Sequence, residues 1–191
     1  MTQTMKPEQV REKYGPMFCK GLVTMVDEHN GIAEPIIEEL KKLYGVGAIS
    51  TAGSARRFDG SSEYSIGDID IIIGTDGSNN EFIRDRAEDL LDTVVMSGPT
   101  KISGVKSGRQ VDIRIVPIDD YGALLLHATG SADFNKECRR LAIKKGWKLN
   151  EYGLFDANGV CLSKSETEIL DMLGLGWVEP KDRIRGYKAN I

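Results

Sequence analysis

The chain has 191 residues, 28% of them charged and 40% hydrophobic, with a formal net charge of −4. That composition belongs to a globular chain with a real core rather than a disordered one, and its length allows one domain or two small lobes sharing a cleft. No apolar run approaches the roughly 20 residues of a membrane span, and the acidic balance speaks against strong non-specific nucleic-acid binding.

Met1 to about Asn30 reads as helix, with Val10, Tyr14, Met17, Phe18, Leu22, Met25 and Val26 on one apolar stripe and Pro16 and Gly21 breaking it in two. Its early charges, Lys6, Glu8 and Arg11, leave no apolar stretch of signal-peptide type. Cys19, Cys138 and Cys161 form an odd, scattered set without a CxxC pair. They argue for free thiols in an intracellular, reducing compartment and against structural zinc. Ile32 to Leu43 forms a second amphipathic helix, stopped by Gly45 and Gly47, and Val46 to Thr51 a strand. Gly53-Ser54 then opens a short helix carrying Arg56 and Arg57. Successive helical residues point about 100° apart, so these two arginines cannot serve one phosphate equally.

Asp59 to Ser65 is turn-rich, and Gly67-Asp68-Ile69-Asp70-Ile71-Ile72-Ile73 follows as a strand. Thr75 to Asn80 is a polar loop, and Phe82 to Leu91 an amphipathic helix with a solvated charged face. Lys101 to Lys106 and Val111 to Val116 alternate as strands joined by Ser107-Gly108-Arg109. Past Pro117 a second lobe begins. Tyr121 to His127 and Phe134 to Lys145 are helices, the latter with Lys136, Arg139, Arg140, Lys144 and Lys145 and few balancing acids. Trp147 to Phe155 and Val160 to Leu162 read as a hairpin around Asp156-Ala157-Asn158-Gly159, and Ser165-Glu166-Thr167-Glu168 opens a last helix. The fold class is α+β.

Chemistry concentrates between Gly53 and Ile73. Side chains alternate across a strand, so Asp68 and Asp70 share a face, their Cα atoms about 6–7 Å apart. Carboxylates so placed repel each other unless cations lie between them, and they suit a pair of Mg²⁺ ions roughly 3.5–4 Å apart, the spacing used for phosphoryl displacement. Gly53-Ser54 is a candidate phosphate cradle of backbone N–H groups and a hydroxyl. Asp112 and Arg114 share the polar face of the later strand. A third aspartate beside the first pair would complete a metal site; standing alone it is an ordinary exposed strand acid. The lysines and arginines from Lys136 to Lys145 suit duplex phosphates.

Gly53-Ser54-x-Arg56-Arg57, Gly67-Asp68-Ile69-Asp70 and Asp112-Ile113-Arg114-Ile115-Val116-Pro117 resemble the palm of X-family DNA polymerases. Thr129-Gly130-Ser131, Phe134-Asn135-Lys136, Arg139, Asn150-Glu151-Tyr152-Gly153-Leu154 and Glu179-Pro180-Lys181-Asp182-Arg183 resemble the C-terminal lobe of that family. The first set alone indicates only the wider nucleotidyltransferase superfamily; the second narrows it to the β-like type.

The resemblance implies a nucleotidyltransferase-type palm over 32–117, a C-terminal nucleotide- and template-binding lobe over 118–191, and an N-terminal helical extension over 1–31. It assigns Asp68, Asp70 and Asp112 to two Mg²⁺ ions (or Mn²⁺), with Gly53, Ser54, Arg57 and Gly67 at the triphosphate. His127, Thr129 and Gly130 would line the sugar pocket and Asn135 the minor-groove edge of the nucleotide. Arg109, Arg114, Lys136, Arg139, Arg140 and Lys144 form the expected DNA-contacting set. The implied function is template-directed filling of short gaps in DNA repair by a monomer, from dNTPs on a primer–template or gapped DNA.

Three positions depart from the family pattern. His127-Ala128 replaces the usual Tyr-Phe at the sugar, Ala132 stands where an acid can lie against the incoming base, and Gln110 stands where a second arginine often sits. No lyase domain with its lysine nucleophile and no helix-hairpin-helix glycine pattern is visible, so a compact two-lobed member is expected. The alternatives are a template-independent nucleotidyltransferase acting on a DNA end, RNA or small molecule, and a non-catalytic nucleic-acid-binding module that keeps the fold.

Overall fold

The computed structural model describes residues 26–58 and 67–189. The expectations for a helix before Val26 and for a turn from Asp59 to Ser65 lie outside those residues. A five-stranded sheet has the order β1-β2-β5-β4-β3, from β1 (Val46–Thr51), β2 (Ile69–Thr75), β3 (Thr93–Ser97), β4 (Lys101–Lys106) and β5 (Arg109–Pro117). Only the β2–β5 pair is parallel; β1–β2, β4–β5 and β3–β4 are antiparallel.

One face of this sheet is apolar because β2 and β5 alternate. Ile69, Ile71 and Ile73 of β2 and Val111, Ile113 and Ile115 of β5 point together into a core closed by α1 (Val26–Leu40) and α3 (Asn80–Asp89), through Ile36, Leu40, Ile83 and Ala87. Burying each large aliphatic side chain there contributes about 1.5–3 kcal/mol. The opposite face carries Asp70, Asp112 and Arg114. Among the described residues its far end is covered, where Ile72 meets Leu124 and Leu125 of α4 (Tyr121–Thr129).

The second core joins α4 to α5 (Ala132–Lys144), α6 (Glu166–Leu173) and a three-stranded sheet of β6 (Lys148–Asn150), β7 (Gly153–Phe155) and β8 (Cys161–Ser163). Phe134, Leu141, Leu154, Ile169 and Leu170 form its centre. A short α2 (Gly53–Arg57) sits between β1 and β2 in the chain.

Three local expectations change. α1 runs unbroken through Gly31 and Pro35, across the expected boundary at 31/32, because Ile32, Ala33, Ile36 and Leu40 keep one helical stripe against the sheet. Thr93–Ser97 is a strand absent from the sequence reading; it pairs with β4 and closes the sheet edge. The stretch from Trp147 to Phe155 is two strands rather than one. Asn150 Oδ1 accepts from the Tyr152 N–H (2.9 Å), and that turn folds β7 back on β6.

Candidate active site

The parallel register of β2 and β5 sets Asp70 directly opposite Asp112. Their neighbours Ile69, Ile71, Val111 and Ile113 are buried beneath the sheet, so both carboxylates emerge on its open face, with Asp68 just ahead of β2. Burial, then the charges of Asp112 and Asp68, pushes the Asp70 carboxyl up to about 6, against the opposing pull of Arg114 and Lys101. Asp68 is raised by burial and by Asp112.

Asp112 leans toward β4, where Ser103 Oγ donates to its Oδ1 at 2.5 Å and Lys101 Nζ lies 3.2 Å from its Oδ2. Among the described residues, no three His, Cys, Asp or Glu side chains are gathered closely enough to hold one ion as they stand. Asp112 has its charge partly met by Lys101, and what remains still raises the Asp70 carboxyl. The donor set itself fits hard divalent cations, being three oxygen ligands whose mutual repulsion a cation would relieve.

The turn before α2 meets the acids directly. The Ala52 N–H donates to the Asp70 carbonyl at 2.9 Å. Gly53 adopts φ +58, and a Cβ there would lie 2.2 Å from Asp70 Oδ2, so only glycine lets the carboxylate rest against the turn. Ser54 Oγ accepts from the Gly67 N–H at 3.1 Å, which leaves its own hydroxyl proton to donate.

Arg56 and Arg57 diverge. Arg57 donates from one terminal nitrogen to the Thr129 carbonyl, while its Nε is buried without a hydrogen-bond partner. Arg56 turns the other way, onto Thr129 Oγ1 (2.7 Å) and both carboxylate oxygens of Glu166 (2.8 Å each). Arg183, fully buried, donates to the same Glu166 at 2.6 Å and lies against the rings of Phe134 and Trp177. Burial would raise the Glu166 carboxyl, but hydrogen bonds from Arg56 and Arg183 outweigh it and hold it below its usual value.

A cleft of about 210 Å³ is lined by Asp70, Asp112, Arg114, His127 and Ala128, so the acids and the expected sugar-facing segment share one space. Burial lowers the His127 imidazole below its usual value, Arg139 and Arg114 add to this, and Glu151 opposes it. Thr129 is fully buried, with its hydroxyl and carbonyl both occupied by the arginines of α2. The Gly130–Ser131 peptide is cis, and Gly130 packs near Arg57. Asn135 Nδ2 donates to the His127 carbonyl at 2.7 Å and so closes the end of α4. Asn135 and Arg139, one turn apart, line a small cavity with His127 and Asn150.

The expected DNA-contacting residues do not form one surface. Arg114 faces the cleft, and Arg139 the small cavity beside it. Arg109 is buried at 9% exposure on the opposite side of the sheet, because it shares strand parity with Val111 and Ile113. That parity was readable in the sequence. Lys136, Arg140 and Lys144 lie on a separate stripe of α5 at four-residue spacing. The expectation of few balancing acids there is corrected: Lys136 pairs with Asp133 (3.3 Å), and Arg140 grips both oxygens of Glu137 (2.7 and 2.6 Å). Sequence reasoning also missed the link of Ser103 and Lys101 to Asp112. Only the pairing of β4 with β5, which sets Ser103 opposite Asp112, reveals it.

A palm sheet that sets Asp70 against Asp112 at one cleft, bonded through Arg56 to a smaller lobe, defines a β-like nucleotidyltransferase. Residues 124–184 match the family described as DNA polymerase beta thumb. The chain is 32% identical over 165 residues to the DNA polymerase/3'-5' exonuclease PolX of Bacillus subtilis, covering 83% of this chain and 28% of that protein. It is 39% identical over 75 residues to DNA polymerase IV of Saccharomyces cerevisiae, covering 39% of this chain and 13% of the relative. To DNA polymerase lambda of Rattus norvegicus it is 34% identical over 87 residues, covering 39% and 15%. The chain thus spans under a third of the length of these relatives. It belongs to the X family of DNA polymerases.

Proposed function

We propose that this chain is the palm and C-terminal lobe of a template-directed DNA polymerase that fills short gaps, joining dNMP units to a primer 3′-hydroxyl with release of pyrophosphate. The register that sets Asp70 against Asp112 at the mouth of the His127–Ala128 cleft carries this reading. The names of the X-family relatives, all DNA polymerases, support it.

In this reading Asp68, Asp70 and Asp112 hold two divalent cations, Mg²⁺ or Mn²⁺. Such ions, when bound, lower the pKa of the attacking hydroxyl and stabilise charge on the leaving pyrophosphate. The chain's own residues bind and orient. The Ser54 hydroxyl takes the outer phosphates, and the Gly67 N–H, which holds Ser54 Oγ, orients it or turns to the phosphates itself. Arg57, whose Nε has no hydrogen-bond partner, supplies a further donor to that task. His127 and Ala128 bound the sugar with less aromatic contact than the usual Tyr-Phe pair, so discrimination at the sugar is weaker. Arg114 supplies positive charge on the cleft wall.

Extension of a primer across a one-nucleotide gap, with each dNTP offered separately, tests the reading. Only the complementary dNTP should be joined, and only with divalent metal. Equal incorporation without a template strand would replace it by template-independent transfer. Asp112→Ala should abolish turnover while leaving dNTP binding largely intact; near-parental extension by that variant would remove the metal assignment.

A further inference from the structure

A groove of about 410 Å³ opens at the outer end of the second lobe, lined by Trp147, Lys148, Asn150, Phe155 and Asp156. Trp147 is half-buried, packed against the second core, and so presents a ring fixed by its neighbours. Lys145 Nζ lies over the face of that ring, 5.5 Å from its centre, a cation–π contact that a stacking base would displace. Lys144, Lys145 and Lys148 are exposed, and among the described residues none has an acid within ion-pair distance. Asp156, the acid of the groove, directs Oδ1 to the N–H groups of Asn158 (2.9 Å) and Val160 (2.8 Å).

With Lys136 and Arg140 paired along α5, three exposed lysines without ion pairs among the described residues gather at the end of α5 and the start of β6. Lys144 and Lys145 also complement the carbonyl end of α5, which accounts for those two lysines alone. It does not account for Lys148 on a strand, or for an aromatic ring between cations.

Shared lining residues place the groove two steps from the candidate active site. Asn150 lines both the groove and the small cavity of His127, Asn135 and Arg139, and His127 in turn shares the cleft of Asp70 and Asp112. A fixed aromatic ring with exposed lysines around it recognises an unpaired nucleotide, whose base takes the place of Lys145 over the ring while its phosphates meet the lysines; a duplex buries its base faces.

We propose that the Trp147–Lys148 groove is a stacking subsite for an unpaired template-strand nucleotide beyond the pairing position. The assignment of strand rests on the polymerase reading above; the stacking chemistry does not.

Trp147 and Trp177 are the two tryptophans of the chain, so Trp177→Phe makes Trp147 the sole reporter. The full chain in that background is titrated, without metal or dNTP, with one duplex ending either blunt or in a short 5′ overhang. Overhang DNA should quench the fluorescence and blunt DNA should not. The affinity ratio of overhang to blunt, read by the anisotropy of labelled DNA so that it does not depend on Trp147, should fall about tenfold in Trp147→Leu. It should also fall in Lys148→Glu, an exposed position where the fold is not at stake. Equal quenching by both DNAs, or an unchanged ratio in both variants, would overturn the subsite. Overhang-dependent quenching without any incorporation in the gap assay would sustain the subsite and overturn the polymerase reading; incorporation with overhang-independent quenching would do the reverse.

Discussion

Arg56 and Glu166, 110 residues apart in the chain, meet in a two-point ion pair of 2.8 Å at each contact. Their side chains are 17% and 10% exposed, and the fully buried Arg183 shares the same carboxylate. This one acid bonds the short helix beside the catalytic face to the second lobe. Removing it strands two guanidinium groups, one of them wholly out of water. Glu166→Ala should therefore cost about 3–5 kcal/mol, a fall in Tm of roughly 6–20 °C. Urea denaturation and calorimetry measure it, and a loss below about 1 kcal/mol would show that the three charges do not act as a unit.

The Asp70 carboxyl stands at about 6 in the fold against an ordinary 3.8. The folded chain therefore holds a proton there more tightly than the unfolded chain. That contribution is complete below about pH 4 and is lost as pH rises through about 6. In chelator-treated buffer, Asp70→Asn should match the parent near pH 4 and exceed it at pH 7–8 by up to about 3 kcal/mol. Thermal melts across that range test this. A constant difference at every pH would mean that the carboxyl is not strained by its neighbours.

Gly53→Ala places a methyl group 2.2 Å from Asp70 Oδ2 at a backbone φ of +58. The carboxylate must move, and turnover should fall about 10²-fold while the circular dichroism spectrum is kept. Gly108, at φ +77 with nothing near its missing Cβ, provides the control. Gly108→Ala should lose a similar amount of stability and keep its rate. Equal rate losses in both variants would trace the effect to the backbone rather than to Asp70.

Lys144 has no acid within ion-pair distance among the described residues and acts on Glu137 only at longer range, whereas Arg140 is held by Glu137. If α5 meets DNA phosphates, Lys144→Ala should reduce the salt dependence of affinity by about one unit of slope, and Arg140→Ala should barely change it. Titrations at several salt concentrations separate the two. Equal effects would mean that the Arg140–Glu137 pair opens on binding.

Much of the fold was written locally. The isoleucines alternating with Asp68 and Asp70, and the same alternation in Val111-Asp112-Ile113-Arg114, state which side chains face the core and which the cleft. Thr93–Ser97 escaped because a five-residue strand lying at the end of a helix carries no turn signal of its own. The paired acids on α5 escaped because their partners sit three positions away on a helix read only for its cations.

The two acids on one strand face, the glycine–serine turn before them and the order of the motifs are legible along the chain, since each depends on neighbours a few residues apart. That β2 lies beside β5 so that Asp112 joins Asp70, that Ser103 and Lys101 draw Asp112 aside, and that Glu166 answers Arg56 emerges first in the folded chain. Those contacts close loops of up to 110 residues. What selects such closures is the burial of both apolar faces at once, which no local pattern encodes.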